Sequence, residues 1–166
     1  GALRERRARG GRTAYVEGNR DFAIGRGATA GLFDQVSRGS LVERFGDAVF
    51  HFSHGDLVNT ADRQYRAWRS FSKRLLAPVA LRVLPESASL AIAARLESGM
   101  RGTNRRHKSS FPEEACRTFA RARIAAGADV VVVGHFHREV VLPVVADGGR
   151  SGTFVSLPFW HEEPRP

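Results

Sequence analysis

The sequence predicts an α/β fold, and three features of the chain support that prediction. Four consecutive valines at residues 130–133 are typical of a strand buried on both faces, as in the sheet of an α/β protein. Two further strand candidates, residues 12–17 and 49–52, resemble the valine run in ending close to a glycine with polar neighbours. Stretches with helical spacing of apolar residues separate these strands. Polar residues at such strand ends predict a ligand site, because ligands of α/β sheets collect at that edge.

The length and composition fit one domain with a substantial core, or a piece of a somewhat larger one: 166 residues, of which 42% are hydrophobic. No apolar run approaches the ~20 residues of a membrane-spanning helix, and no signal-peptide pattern opens the chain. The single cysteine, Cys116, excludes an internal disulfide. It lies in an amphipathic helical stretch, which predicts a core side chain rather than a nucleophile. These features favour a cytoplasmic protein.

The charge is strongly positive, with 26 Lys and Arg residues against 17 Asp and Glu, a formal net charge of +9. Such a surplus favours anionic partners, whether nucleotides, nucleic acid or acidic lipid headgroups. The alternative is a general bias towards arginine, because the arginines are scattered through the chain rather than grouped in one block.

Turn signals and apolar spacing define the other elements. Gly10 and Gly11 end an arginine-rich, helix-compatible opening segment. Pro112 suits the first turn of a helix, and Glu113 and Glu114 suit its positive end. The further elements predicted in chain order are a helix at 2–9, a short helix at 28–36, a strand at 41–45, a helix at 112–126, and strands at 139–145 and 152–157.

Residues 60–110 differ from the strand-rich segments around them, because their apolar residues have helical spacing. They predict a helical insertion, with helices at 61–76 and 86–100. One face of the first helix carries a mostly aromatic stripe, formed by Tyr65, Trp68, Phe71 and Leu75. This stripe fits either packing onto the core or a groove for an apolar ligand. Residues 101–110 form a basic, polar loop that fits either phosphate contact or a solvated surface.

The valine strand runs into Gly134, His135, Phe136 and His137. If the backbone stays extended there, both imidazoles lie on the same side with Cα atoms roughly 7 Å apart. Imidazole is a common ligand for first-row metal ions. The pair therefore predicts a platform for metal, provided that further ligands lie upstream.

Three strand-end motifs supply those candidates: Gly-Asn-Arg-Asp (18–21), His-Gly-Asp (54–56) and Gly-His-Phe-His (134–137). Together they resemble the metallophosphoesterase superfamily. The arginine in the first motif and the phenylalanine after it narrow the resemblance to the UDP-2,3-diacylglucosamine diphosphatases of lipid A biosynthesis. The intervals, 35 residues from Asn19 to His54 and 81 from His54 to His135, are similar to that family as well.

The resemblance covers nearly the whole chain from about residue 12 and implies the fold. We expect residues 1–166 to form a single metallophosphoesterase domain, a β-sandwich flanked by helices, with residues 60–110 as an insertion or cap within it.

A site for two Mn²⁺ ions is implied by the same resemblance. By the family pattern, Asn19, His54 and His135 ligate one ion and His137 ligates the other. A mixed set of oxygen and nitrogen donors suits Mn²⁺. Two-metal hydrolases use such ions to hold the attacking and leaving oxygens of a displacement.

Catalytic and substrate contacts are implied at matching positions. Arg20 stands where the superfamily more usually has histidine, and its planar cationic fork suits a phosphate oxygen. Asp21, the second catalytic candidate, either orients a neighbouring group or is a structural turn residue. The positions expected to bind substrate are Asn19, Arg20, Asp62, Asn104, His107, Lys108 and His135. His107 stands where the family has a lysine, with Arg105 and Lys108 as alternatives, and Met100 stands where the family has a serine.

Two family motifs, Asp-x-His and Gly-Asp, do not occur before Gly18. They provide three ligands, including the aspartate that bridges the metals, so we expect little activity from this chain alone. The chain reads as the C-terminal two-thirds of such an enzyme. The alternative is a truncated paralogue that binds ligand without turnover.

The implied function of the complete protein is hydrolysis of the UDP-2,3-diacylglucosamine diphosphate to UMP and 2,3-diacylglucosamine 1-phosphate. The basic charge fits both this nucleotide-lipid and an anionic inner-membrane surface, where the protein would be peripheral. One alternative is a related phosphoesterase that acts on another nucleotide or phospholipid. A non-catalytic nucleic-acid-binding module is a further alternative, although no nucleic-acid motif is present and no nucleic-acid partner is expected.

Overall fold

The computed structural model describes residues 1–19, 21, 29, 31–58 and 111–158. These residues fall into two compact units, one within residues 1–36 and the other formed by residues 37–58 and 111–158. The predicted helices at 61–76 and 86–100 and the predicted loop at 101–110 lie outside the described residues. None of the helices in the described ranges is long and apolar enough to cross a membrane.

The first unit opens with helix α1 (Ala2–Ala8), as predicted, and continues with strand β1 (Ala14–Val16). β1 pairs with β2 (Gln35–Ser37) in a two-stranded sheet. Asp34, just before β2, stabilises this pairing. Its carboxylate accepts hydrogen bonds from the backbone N–H of Thr13 at 2.7 Å and from the Thr13 hydroxyl at 3.0 Å. These bonds lower the pKa of Asp34, the backbone N–H having the largest effect.

The short helix predicted at 28–36 is wrong over residues 31–36. Gln35 and Val36 lie in β2, and residues 31–34 are not helical. The Asp34 N–H donates to the Thr13 carbonyl at 2.8 Å. A partner that lies some twenty residues away thus overrides the local helical pattern.

A five-stranded sheet and one helix form the second unit. The sheet runs in the order β3-β4-β5-β7-β6. β4, β5 and β7 are parallel, whereas β3 and β6 pair antiparallel at the two edges. The elements are β3 (Ser40–Phe45), β4 (Ala48–Ser53), α2 (Glu113–Ala125), β5 (Val130–Val133), β6 (Val140–Val145) and β7 (Ser151–Ser156). This mixture of parallel strands and covering helix confirms the predicted α/β class.

The core lies between α2 and one face of the sheet. Val131, Val133 and Phe154 have no exposed surface and pack with buried side chains of α2. Cys116 is one of those side chains, which confirms its predicted place in the core, and burial raises the pKa of its thiol to about 12.

The opposite face of the sheet is apolar but less covered. The valine strand was expected to be buried on both faces. Val131 and Val133 are fully buried on the face that meets α2, whereas Val130 and Val132 on the other face are only partly buried. An aromatic cluster extends this second face, with the Phe50 ring centroid 5.3 Å from that of Phe45 and 5.9 Å from that of Phe52.

Candidate metal centre

Two of the sequence-predicted histidines converge at the carboxyl edge of the sheet. β4 and β5 are parallel neighbours, and Ser53 at the end of β4 pairs with Val133 at the end of β5. His54 and His135 follow these positions. Their ring atoms His54 Nε2 and His135 Nδ1 lie 3.2 Å apart, and the two rings are inclined at 74°. Strand register therefore brings together side chains that are 81 residues apart.

Close backbone contact fixes the two loops that carry these histidines. The Gly134 N–H donates to the His54 carbonyl at 3.1 Å. Gly55 has a φ of +101°, and a Cβ at this position would lie 3.2 Å from the Gly134 carbonyl oxygen and 3.2 Å from Val133 Cβ. Both the conformation and the space therefore require glycine at position 55.

The backbone does not remain extended after β5. His135 has a φ of +65° and His137 a φ of +55°. The Phe136 N–H donates to the Gly134 carbonyl at 2.7 Å, which closes a tight three-residue turn around His135. The same-side arrangement of the two imidazoles was predicted for an extended backbone, and this condition is not met, since the strand ends at Val133.

Phe136 anchors this turn to the interior. Its ring lies 5.4 Å from that of Phe111 and 5.5 Å from that of His135, measured between centroids. Phe111 and Phe136 both pack against the hydrophobic core. The residue between the two motif histidines therefore holds the turn in place by apolar contact.

The His54–His135 pair fits two ligands of one divalent cation. Two imidazole nitrogens each about 2.1 Å from the same ion, at tetrahedral or right angles, lie roughly 3 Å apart. The observed 3.2 Å separation has that value. A bound cation would take the place of the proton between the two rings, so both nitrogens would be unprotonated and would offer their lone pairs to the ion.

The third predicted histidine is less enclosed. His137 is exposed, whereas His54 and His135 are partly buried. Among the described residues, no group of three or more His, Cys, Asp or Glu side chains is arranged to hold a metal ion.

In the first unit, the residues after β1 form a separate hydrogen-bonded turn. Asp21 Oδ2 accepts the Gly18 N–H at 2.6 Å and the Tyr15 hydroxyl at 2.9 Å. Burial raises the pKa of Tyr15 to about 12, and the bond to Asp21 contributes to the rise. Asn19, which lies within this turn, is partly buried.

Sequence reasoning missed Tyr15. The available signal was a hydroxyl-bearing aromatic residue on the strand that leads into the Gly-Asn turn, six residues before an aspartate. The sequence left two roles open for Asp21, orientation of a neighbouring group and maintenance of the turn. Its bonds to Gly18 and Tyr15 are compatible with both roles.

Five of the predicted catalytic and substrate-binding residues lie outside the described residues and stay predictions. They are Arg20, Asp62, Asn104, His107 and Lys108.

Comparison with known proteins agrees with the motifs. The chain is 30% identical over 161 residues to a UDP-2,3-diacylglucosamine hydrolase of Xanthomonas campestris pv. campestris (strain B100), covering 90% of this chain and 63% of the relative. It is 30% identical over 162 residues to the enzyme of that name from Stenotrophomonas maltophilia (strain K279a), covering 90% and 62%. It is 35% identical over 139 residues to that of Pseudomonas putida (strain F1), covering 80% and 55%.

The chain thus spans about 60% of the length of the curated relatives it matches. No family model matches it. The similarity nevertheless extends over most of this chain and includes several curated proteins of one name. It confirms the predicted resemblance: along most of its length, this chain is a sequence relative of the UDP-2,3-diacylglucosamine hydrolases.

Proposed function

We propose that the chain carries the histidine part of a divalent-metal site in a hydrolase that cleaves the diphosphate of UDP-2,3-diacylglucosamine. The observation that carries the proposal is the 3.2 Å separation of His54 Nε2 and His135 Nδ1 at the ends of two parallel strands. The names of the curated relatives support the substrate, and they make another nucleotide or phospholipid substrate the less favoured choice.

In this proposal, His54 and His135 hold one ion, and the family pattern adds Asn19 to them and assigns His137 to a second ion. Mn²⁺ is the proposed metal, because a set that includes an amide oxygen and imidazoles suits it. Bound metal would supply Lewis-acid polarisation of phosphate oxygens and a water molecule of lowered pKa.

The chain's own residues would perform the remaining tasks. The Gly55–Gly134 contact and the turn around His135 hold the two imidazoles in place, so that little reorganisation accompanies binding. Arg20 would bind a phosphate oxygen through its cationic fork. Asp62, Asn104, His107 and Lys108 would contact the rest of the substrate.

A two-chain lipid substrate places the enzyme at a membrane surface, and the formal net charge of +9 favours an anionic one. We therefore propose peripheral association with the inner membrane. Little turnover is expected from residues 1–166 alone, because the Asp-x-His and Gly-Asp motifs are absent before Gly18.

The test is Mn²⁺ binding by this chain, measured from the loss of the free-ion EPR signal, in His54→Ala and His135→Ala. Each substitution should weaken binding at least about tenfold, as losses at a metal site do. His161→Ala serves as the control, because it removes a histidine outside every motif. Turnover is measured in a protein that also contains the two missing motifs, where both variants should abolish it.

Near-normal Mn²⁺ affinity or turnover in either histidine variant, with the fold intact by circular dichroism, would refute the metal assignment. Robust Mn²⁺-dependent turnover by residues 1–166 would refute the need for the two motifs.

A further inference from the structure

The Asp21 carboxylate and backbone both bond to the turn that follows β1. Asp21 Oδ2 accepts the Gly18 N–H at 2.6 Å, and the Asp21 N–H donates to the Gly18 carbonyl at 3.4 Å. Both polar groups of Gly18 are thereby bonded to Asp21. Asn19 lies between these two residues, so a shift of the Asp21 carboxylate would be passed to its backbone through Gly18.

Among the described residues, the Tyr15 hydroxyl is a side-chain donor to this carboxylate. It donates to the same Asp21 Oδ2 at 2.9 Å. Two donors on one oxygen define the direction in which the carboxylate points, since each bond is strongest when it is close to linear. A bond to an ionised acceptor is also stronger than one between neutral groups.

The Tyr15 ring is itself held by the sheet. Tyr15 lies in the middle of β1, and its ring centroid is 4.8 Å from that of Phe33, just before β2. The two rings are inclined at 43°. Strand pairing and aromatic contact therefore set the ring position, and the hydroxyl transmits that position to the turn.

We propose that Tyr15 is a positioning residue for the candidate site: through Asp21 and Gly18, its hydroxyl sets the orientation of Asn19. The inference rests on the proposed function, in which Asn19 is a metal ligand. It adds a residue that touches neither metal nor substrate and acts through the turn. Groups that orient metal ligands in this way commonly contribute ten- to a hundredfold in metal affinity.

The test compares Tyr15→Phe with the parent chain of residues 1–166. Phenylalanine keeps the ring beside Phe33 and removes only the hydroxyl. We expect Mn²⁺ affinity, measured by EPR titration, to fall about tenfold. Amide hydrogen exchange of Gly18 should accelerate roughly fivefold or more, because its acceptor is no longer held in place.

Thr13→Val is the matched control. It removes a hydroxyl next to the same strand, since Thr13 Oγ1 lies 3.0 Å from Asp34 Oδ2 and 3.2 Å from the Leu32 carbonyl oxygen. Thr13→Val should lower the thermal stability about as much as Tyr15→Phe does, but it should leave Mn²⁺ affinity and Gly18 hydrogen exchange unchanged. In an Asp21→Asn background, Tyr15→Phe should have little further effect, since the route through the carboxylate is already broken.

The outcomes separate this inference from the proposed function. If the parent binds Mn²⁺ and Tyr15→Phe binds it within twofold, or if Gly18 exchange is unchanged, the positioning role is refuted and the site assignment stands. An equal loss in Thr13→Val, or an undiminished effect in the Asp21→Asn background, would also refute it. Failure of the parent to bind Mn²⁺ would overturn the proposed function and this inference with it.

Discussion

The two candidate-site regions are built by different physical means. After β1, the Gly18–Asp21 turn is fixed by polar bonds, in which one carboxylate accepts from a backbone amide and a tyrosine hydroxyl. At the ends of β4 and β5, the histidine loops are fixed by close packing of backbone on backbone at Gly55 and Gly134, and by the Phe136 ring against the core. One region should therefore respond to loss of hydrogen-bonding groups, and the other to added volume.

The largest effect is expected from Gly55→Ala. Its φ of +101° disfavours any side chain, and the new Cβ would also lie 3.3 Å from His135 Cβ. Strain and overpacking together should cost roughly 2–4 kcal/mol in the free energy of unfolding, measured by urea denaturation.

Gly46→Ala is the control for that substitution. Gly46 has a φ of +59° but no atom within 4 Å of the added Cβ, so only the conformational cost of about 1 kcal/mol remains. Equal destabilisation by the two variants would show that the Gly55 contact contributes nothing, and the contrast between the two regions would fail.

An intermediate effect is expected from Asp21→Ala. The substitution removes the acceptor of the Gly18 N–H and the Tyr15 hydroxyl, which should cost about 1–2 kcal/mol, because hydrogen bonds to charged groups contribute more than neutral ones. Hydrogen exchange should show the loss at Gly18 but leave the Gly134 amide protected. Loss of protection at Gly134 as well would mean that the two regions are not held independently.

The smallest effect is expected in the pH dependence of stability and comes from His51, which lies on β4, three residues before His54. Its ring lies 6.0 Å from that of Phe119, and its Nδ1 is buried with no hydrogen-bond partner among the described residues. Burial, followed by the nearby Arg123 charge, lowers the pKa of His51 below 6.5.

Because its folded-state pKa is the lower one, the unfolded chain binds more protons once the pH falls below about 6.5. Stability should therefore decline from that pH downward until the folded-state pKa is passed, and then level off. His51→Leu should reduce this slope in denaturation curves taken between pH 7 and pH 5. An unchanged slope would show that His51 does not contribute to it.

Local pattern was enough to predict most of the elements that position the histidines. The four valines of β5 and the Pro112–Glu114 start of α2 carry their own signals, and both were found at the predicted places. The resemblance to the metallophosphoesterase motifs implied the pairing of His54 with His135, which the parallel register of β4 and β5 then explains.

What could not be predicted depends on long-range contacts. β2 forms where a helix was expected, because Thr13 and Asp34 bond across the two-stranded sheet. The positive φ values of His135 and His137 could not be predicted from local sequence, since only a few per cent of non-glycine residues adopt that conformation. The turn is instead imposed by the contact of Gly134 with the His54 loop and by the anchoring of Phe136 in the core.

The most direct test of the central claim is electron spin-echo envelope modulation of Mn²⁺ bound to this chain, which detects nitrogen nuclei coupled to the ion. The paired geometry of His54 and His135 predicts two coupled imidazole nitrogens in the parent and one fewer in each of His54→Ala and His135→Ala. A spectrum without imidazole nitrogens, or one that neither substitution changes, would contradict the claim that these two histidines share a metal ion.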